Sequence, residues 1–317
     1  VTTSELTAQE LTHRIKEKAR EIGFTKVGIT SAEPFHEEAS RLRAWTEQGF
    51  QGLMQYMERG YEKREDVRNI LPSAKSVISL ALNYNHPTDL NEDRLKISRY
   101  AWGTDYHEVI PPMLEKLLHF MKELDPSTEG RYYVDTGPLL EKAIAERAGI
   151  GWRGKHSNVI TREVGSWIFL SEIIVNLDLE IDTPHEDFCG SCTRCIEACP
   201  TSAIVEPYVV DANKCISYLT IELKPQHEIP LEQSAQLEGW LYGCDICQDV
   251  CPWNRFGKPT SIAEFAPRAE NIMLTPTELE AMEQEEFSRR FKKSPVKRTK
   301  LAGLKRNLKA LLTRTKV

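Results

Sequence analysis

The chain has 317 residues, 40% hydrophobic and 28% charged, the balance of an ordinary globular protein with room for about two domains. No apolar run is long enough to cross a bilayer, and the N-terminus VTTSELTAQELTHRIKEKAR is polar with helical spacing. Neither a secretory signal nor a twin-arginine leader is visible, so a cytoplasmic protein with reduced thiols is expected.

Leu6 to Ile22 reads as an amphipathic helix, and Thr25 to Thr30 as a short buried strand after it. Glu33 to Gln55 is again helical in pattern. The SVISLAL run from Ser76 to Leu82 predicts a central strand, and the charged lead-in before it puts Arg64 and Arg68 on the surface. In SRYAWGTDYHEVIPPMLEKLLHFMKEL, Thr104 or Asp105 is placed to cap a helix ending near Leu124. RYYVDTG predicts a strand closing at Asp135, LLEKAIAERAG a helix stopped by Gly149, and SNVITREVGSWIFLSEIIVNL a hairpin around Glu163 to Gly165. Such alternation over the first 180 or so residues indicates an α/β domain.

GIGWRGKH, from Gly149 to His156, imitates two phosphate-binding motifs, but both need a strand before the glycines and a helix after them. Here a helix precedes and a strand follows, so the segment reads as a helix C-cap leading into a ligand-facing loop.

All eight cysteines lie between Cys189 and Cys251. Cys189, Cys192, Cys195 and Cys199 follow C-x2-C-x2-C-x3-C-P spacing; Cys215 stands alone, and Cys244, Cys247 and Cys251 close the set before a second proline. Two-cluster bacterial ferredoxins share this order, in which the fourth cysteine of a run reaches across to the other cluster. On that logic Cys189, Cys192, Cys195 and Cys251 hold one 4Fe-4S cluster, and Cys199, Cys215, Cys244 and Cys247 the second. Structural zinc also uses C-x2-C units, but it pairs two knuckles and has no need of the longer run.

Twelve Lys or Arg and no acid fall between Ser288 and Val317, whereas the rest of the chain carries 29 basic against 47 acidic groups. The LAGLKRNLKALL segment puts Leu301, Leu304, Leu308 and Leu311 on one helical face, with Lys300, Arg306 and Lys309 away from it. An outward basic face is either a solvated helix surface or a place for nucleic acid; on the second reading Lys305, Arg306 and Lys309, and with them Lys224, are candidate phosphate contacts.

VDTGPLLEKAIAERAGIGWRGKHSNVI, SRYAWGTDYHEV, CGSCTRCIEACPTSAI, KCISYLTIELK and YGCDICQDVCPWN together resemble the epoxyqueuosine reductases, from near the N-terminus to about Leu312. The resemblance implies a cobalamin-binding domain of nitroreductase and reductive-dehalogenase kind over 1–180, a two-cluster ferredoxin-like domain over 181–260, and a basic helical segment over 261–317. Many members continue into helical repeats beyond that point. The implied reaction is reduction of epoxyqueuosine to queuosine at the tRNA wobble position, with electrons passing from an external low-potential donor through the clusters to cobalamin. Asp135 matches the family's proton donor, and that role predicts a shielded pocket that raises its pKa. Cobalamin contacts are implied for Arg64, Ser98, Asp135, Lys155, His156, Asn158, Val159, Leu170, Ser217, Cys244 and Asp245; Ser98 stands where some members have cysteine. No D-x-H-x-x-G motif supplies an axial histidine. A cobalamin-dependent dehalogenase and a non-catalytic iron-sulfur carrier are the alternatives from other classes.

Overall fold

The computed structural model describes residues 6–87 and 94–313. α1 (Ala8–Ile22) is opened by a capping box between Thr7 and Glu10, and it buries Leu11, Ile15 and Ala19. Strand β1 (Lys26–Ser31), helix α2 (His36–Glu47) and the short α3 (Tyr61–Glu65) follow. The predicted central strand is β2 (Ser76–Asn83), buried at every position. Continuous burial suits a strand covered on both faces. Next come β3 (Lys96–Ile97), α4 (Tyr106–Leu124) with Asp105 as its cap, β4 (Gly130–Tyr133), α5 (Glu141–Arg147), β5 (Trp152–Arg153), β6 (Val159–Ile160) and β7 (Ile168–Val175).

The main sheet runs β1-β2-β7-β4, and each of its ladders is antiparallel. α1 and α4 cover one face, where Ile15, Ile29, Leu80, Leu114, Leu117 and Ile173 form the largest core. α5 covers the other, packing Ile144 against Val77 and Ile174. Its end presses on β1 at Gly28, where a Cβ would stand 2.0 Å from the Ala148 carbonyl oxygen. The hairpin expected around Glu163 to Gly165 is only half present. Thr161 and Gly165 bridge the turn, but β6 pairs with β5, whereas β7 joins the main sheet. The two arms of that turn therefore serve different sheets.

The cysteine region is built of short pieces: α6 (Arg194–Ala198), β8 (Ile204–Glu206), β9 (Val209–Val210), α7 (Ile216–Ile221), α8 (Leu231–Ser234), β10 (Trp240–Tyr242) and α9 (Ile246–Asp249). α10 (Ala269–Ile272), α11 (Pro276–Ala281), α12 (Gln284–Arg290) and α13 (Lys300–Thr313) complete the chain. These parts interlock. β3 pairs with β10, and Trp102, Tyr242, Phe287, Phe291 and Leu304 share one core.

α13 buries Leu301, Leu304 and Leu308 as its periodicity requires, but it does not keep Arg306 outside. Arg306 is 6% exposed, and its guanidinium donates to the carbonyls of Leu219 (2.9 Å), Leu223 (3.1 Å) and His227 (2.7 Å) and to Asn307 Oδ1 (2.7 Å). It closes the C-terminal end of α7 and cannot reach a tRNA phosphate. Lys224 and Lys309 are exposed; Lys309 pairs with Glu228 at 2.8 Å, and Lys305 donates to the Glu280 carbonyl. Arg64, expected on the surface, is 8% exposed and donates to the Leu139 and Tyr56 carbonyls. Arg68 stays outside, forked onto Asp66.

Candidate active site

Two cavities meet where the sheet domain faces the cysteine region. The inner one, of about 410 Å³, is walled by Cys199, Cys215, Cys244 and Cys247 on one side and by Tyr84, Tyr106, Phe169 and Leu170 on the other. The outer one, of about 990 Å³, is lined by Arg64, Arg153, Tyr208 and the 135–143 segment. Asp135, Glu141, Lys142 and Ser157 border both.

The thiols sort by which of them face one another. Burial pushes Cys195 up to about 11, and Cys189, Cys251 and Cys192 add to the rise. Burial likewise raises Cys251, helped by Cys189 and Cys192. Cys244 is raised by burial and then by Cys247 and Cys215; Cys215 is raised by burial and by Cys199. Cys247 feels Cys215, Cys195 and Cys199, as a residue between the two groups would. Among the described residues, no three His, Cys, Asp or Glu side chains form a site for a single metal ion. The four thiols on the inner cavity are the set assigned to the second cluster from their spacing.

Asp135 follows the end of β4 with φ 57°, a left-handed conformation that Asp tolerates better than most residues. Its N–H donates to Glu141 Oε1 at 2.6 Å, and half of its side chain is open to the cavities. The next glycine lets the loop fold back: a Cβ on Gly137 would stand 2.4 Å from the Tyr133 ring. Asp135 Oδ2 lies 3.6 Å from His107 Nε2, and His107 Nδ1 lies 2.8 Å from Asp105 Oδ1. Burial opposes charge on His107, but the carboxylates of Asp105 and Asp135 outweigh it and push the imidazole up to about 9. In return, the His107 imidazole 3.6 Å away holds Asp135 below its ordinary value, against its burial. The expected raised pKa is thus corrected: Asp135 is held low. The carboxyl beside Asp135 that is displaced upward is Glu141, which burial and the Asp135 charge push up to about 7.

Of the other residues singled out, Ser98, His156, Asn158, Val159, Leu170, Ser217 and Cys244 line the inner cavity. His156 Nδ1 accepts the Asn158 N–H at 3.2 Å, so the proton belongs on Nε2, which is buried without a partner. Burial lowers this imidazole to about 4 and keeps it neutral. Ser98 donates to Asp245 Oδ1, and Asp245 also accepts the Arg99 N–H at 2.8 Å. Asp245 is 1% exposed and supports Ser98 from behind. Arg64 lines the outer cavity only. Lys155 departs from its expected place, because its ammonium donates to the carbonyls of Gly190 (2.6 Å) and Cys192 (3.0 Å), toward the first thiol set.

Tyr106, His107, Glu141, Lys142 and Arg298 were not assigned roles by sequence reasoning. Tyr106 stacks on Phe169 with ring centroids 4.4 Å apart, and Arg298 brings the basic C-terminal segment to the outer cavity, held by Glu222 at 2.7 and 3.0 Å. Tyr106 and His107 lie in the SRYAWGTDYHEV stretch, whose aromatic content was the available signal.

Residues 188–254 match the family model described as a 4Fe-4S double cluster binding domain, and residues 64–136 match that described as epoxyqueuosine reductase QueG, DUF1730. An epoxyqueuosine reductase of Cellulophaga algicola is 50% identical over 294 residues, 93% of this chain and 95% of the relative. One from Synechocystis is 48% identical over 87% of this chain and 96% of its own length. A solved epoxyqueuosine reductase bound to an epoxyqueuosine-modified tRNA-Tyr stem loop superposes with a TM-score of 0.90 at 35% identity, covering 97% of this chain and 82% of that one. The Bacillus subtilis enzyme, at 34% identity and a TM-score of 0.89 over the same shares, has been solved with an aspartate-bearing catalytic loop swung out of its active site.

Proposed function

The chain belongs to the epoxyqueuosine reductase family and reduces epoxyqueuosine to queuosine, and from that premise we propose that the inner cavity joins cobalamin to one of two 4Fe-4S clusters, with Asp135 as the proton donor. The observation that carries this reading is that one cavity is bounded by Cys199, Cys215, Cys244 and Cys247 and also by Asp135. Family membership sets aside the dehalogenase and the bare electron carrier.

The inner cavity alone is too small for a whole cobalamin, but together with the outer one it offers the room. The inner walls, aromatic and aliphatic, suit the face of a large ring, and the orphaned His156 Nε2 offers a donor beside it. His156, Asn158, Val159, Leu170 and Ser217 would hold the group, with Ser98 fixed by Asp245 and Arg64 outside in the larger cavity. Cobalamin, when bound there, would supply low-potential electrons for the reduction. Everything else falls to the chain. Tyr84, Tyr106 and Phe169 exclude water, and Asp135 presents a carboxyl oxygen to the leaving epoxide oxygen.

The tRNA substrate approaches through the outer cavity, where Arg298 of the C-terminal segment lines the wall and acts electrostatically on Asp135. Lys224, Lys305 and Lys309 remain candidates for phosphate contacts outside it. Anaerobic reconstitution followed by iron, sulfide and cobalt analysis, with turnover on epoxyqueuosine-bearing tRNA, tests the reading. Active protein without corrinoid would refute it.

A further inference from the structure

Converting the epoxide to an alkene breaks both C–O bonds, forms the C=C bond and releases the oxygen as water, consuming two electrons and two protons. The iron-sulfur and cobalamin chain supplies the electrons. Asp135 hands over one proton at a time, so a second must come from elsewhere.

Glu172, at the middle of β7, is 0% exposed; its carboxylate oxygens meet no donor in close hydrogen-bonding geometry among the described residues, and the side chain that it faces is the Glu141 carboxyl. Ser79 is its cross-strand partner in the β2–β7 ladder, equally buried and with an unpartnered hydroxyl. Alternation puts Glu172 on the sheet face of Leu170 and Ile174, the face that packs against α5. α5 begins at Glu141, which accepts the Asp135 N–H and lines both cavities. Two buried carboxyls facing each other in such a place cannot both be anions, so the pair carries a proton.

We propose that Glu172 and Glu141 hold a proton between them and that Glu141 passes it to Asp135, making this pair the store for the second proton of the reduction. The proposal rests on Asp135 being the donor. Burial and then the Glu141 charge push Glu172 well above its ordinary value, and Asp135 adds to the rise. Glu141 faces Asp135, Glu172 and Lys142, with Arg64 and Tyr106 also within electrostatic reach. Burial and the Asp135 charge oppose its ionisation; the Asp135 N–H, a hydrogen bond from the Glu172 carboxyl, and Lys142 favour it. His107, on the far side of Asp135, favours the carboxylate that Asp135 becomes once its first proton is given up, ready to accept the next from Glu141.

The test uses the cofactor-loaded enzyme and three near-isosteric variants. Infrared spectroscopy at neutral pH should show a buried protonated carboxyl band in the parent and in E141Q, and its loss in E172Q. Both variants should lose about ten-fold or more in turnover, with KM for tRNA unchanged and the falling alkaline limb of the kcat profile displaced to lower pH in E172Q. Should E172Q fail to fold, E141Q at the cavity edge carries the kinetic test. Parent-rate turnover with an unmoved pH profile in E172Q or E141Q overturns the store, as does absence of the band from the parent. Parent-rate turnover in D135N overturns the donor reading, and the transfer to Asp135 with it. An inactive D135N beside a parent-rate E172Q overturns the store alone.

Discussion

His107 Nε2 stands 3.6 Å from Asp135 Oδ2 while its Nδ1 faces Asp105 Oδ1 at 2.8 Å, so one imidazole is held between two carboxylates. Its folded pKa of about 9 exceeds the ordinary 6.5. The raised value means that His107 stabilises the fold fully below about pH 6.5, and that the contribution disappears as pH climbs through about 9. H107Q should therefore be less stable than the parent at pH 6 and equal to it near pH 10. Denaturant titrations at the two pH values check this, and carboxyl NMR should find the Asp135 pKa moved upward in the variant.

Asp135→Asn keeps the shape of the side chain and removes its proton-donating oxygen. Positioned acid catalysis is worth about a hundred- to ten-thousand-fold, and single-turnover rates on epoxyqueuosine tRNA should fall on that scale. Corrinoid and iron content, measured on the same sample, should match the parent.

The fully assembled protein should contain about eight iron and eight sulfide per chain. Cys251→Ser should damage the cluster of Cys189, Cys192 and Cys195, and Cys247→Ser that of Cys199, Cys215 and Cys244. Cluster-resolved EPR of the two variants reads the pairing directly, since the two losses should be complementary.

Arg306→Ala should be mainly a folding lesion. It strips the donors from three carbonyls and from Asn307, and a cost of about 3 kcal/mol is expected from charge-assisted bonds of this kind. Lys305→Gln with Lys309→Gln should leave the denaturation midpoint within error and flatten the salt dependence of tRNA binding.

How far the sequence reveals this molecule depends on how local each signal is. The Ser76–Leu82 run is a strand by its own composition, and the cysteine order needs only spacing. Arg306 misleads because the leucine stripe marks the face toward Trp102 and Phe287, whereas α13 is also covered by α7 and the loop near His227. A helix wedged between two neighbours buries more of its circumference than its leucines mark. Glu172 gives no warning at all: a carboxylate within IFLSEIIV reads as an outward position, and only the packing of α5 over that face buries it. The β6–β7 turn is legible, but nothing nearby says that its arms join different sheets.

The Lys155 ammonium, clasped by the Gly190 and Cys192 carbonyls, fastens the His156–Val159 stretch of the inner cavity to the loop bearing the first thiols. We expect maturation to acquire an order from that clasp. A cluster in the Cys189–Cys195 loop would fix the carbonyls that hold Lys155 and so steady the cofactor-facing stretch; corrinoid retention measured against iron content would trace this dependence. A chain starved of iron would then be a poor trap for corrinoid, and the costlier cofactor would stay free for copies able to feed it electrons.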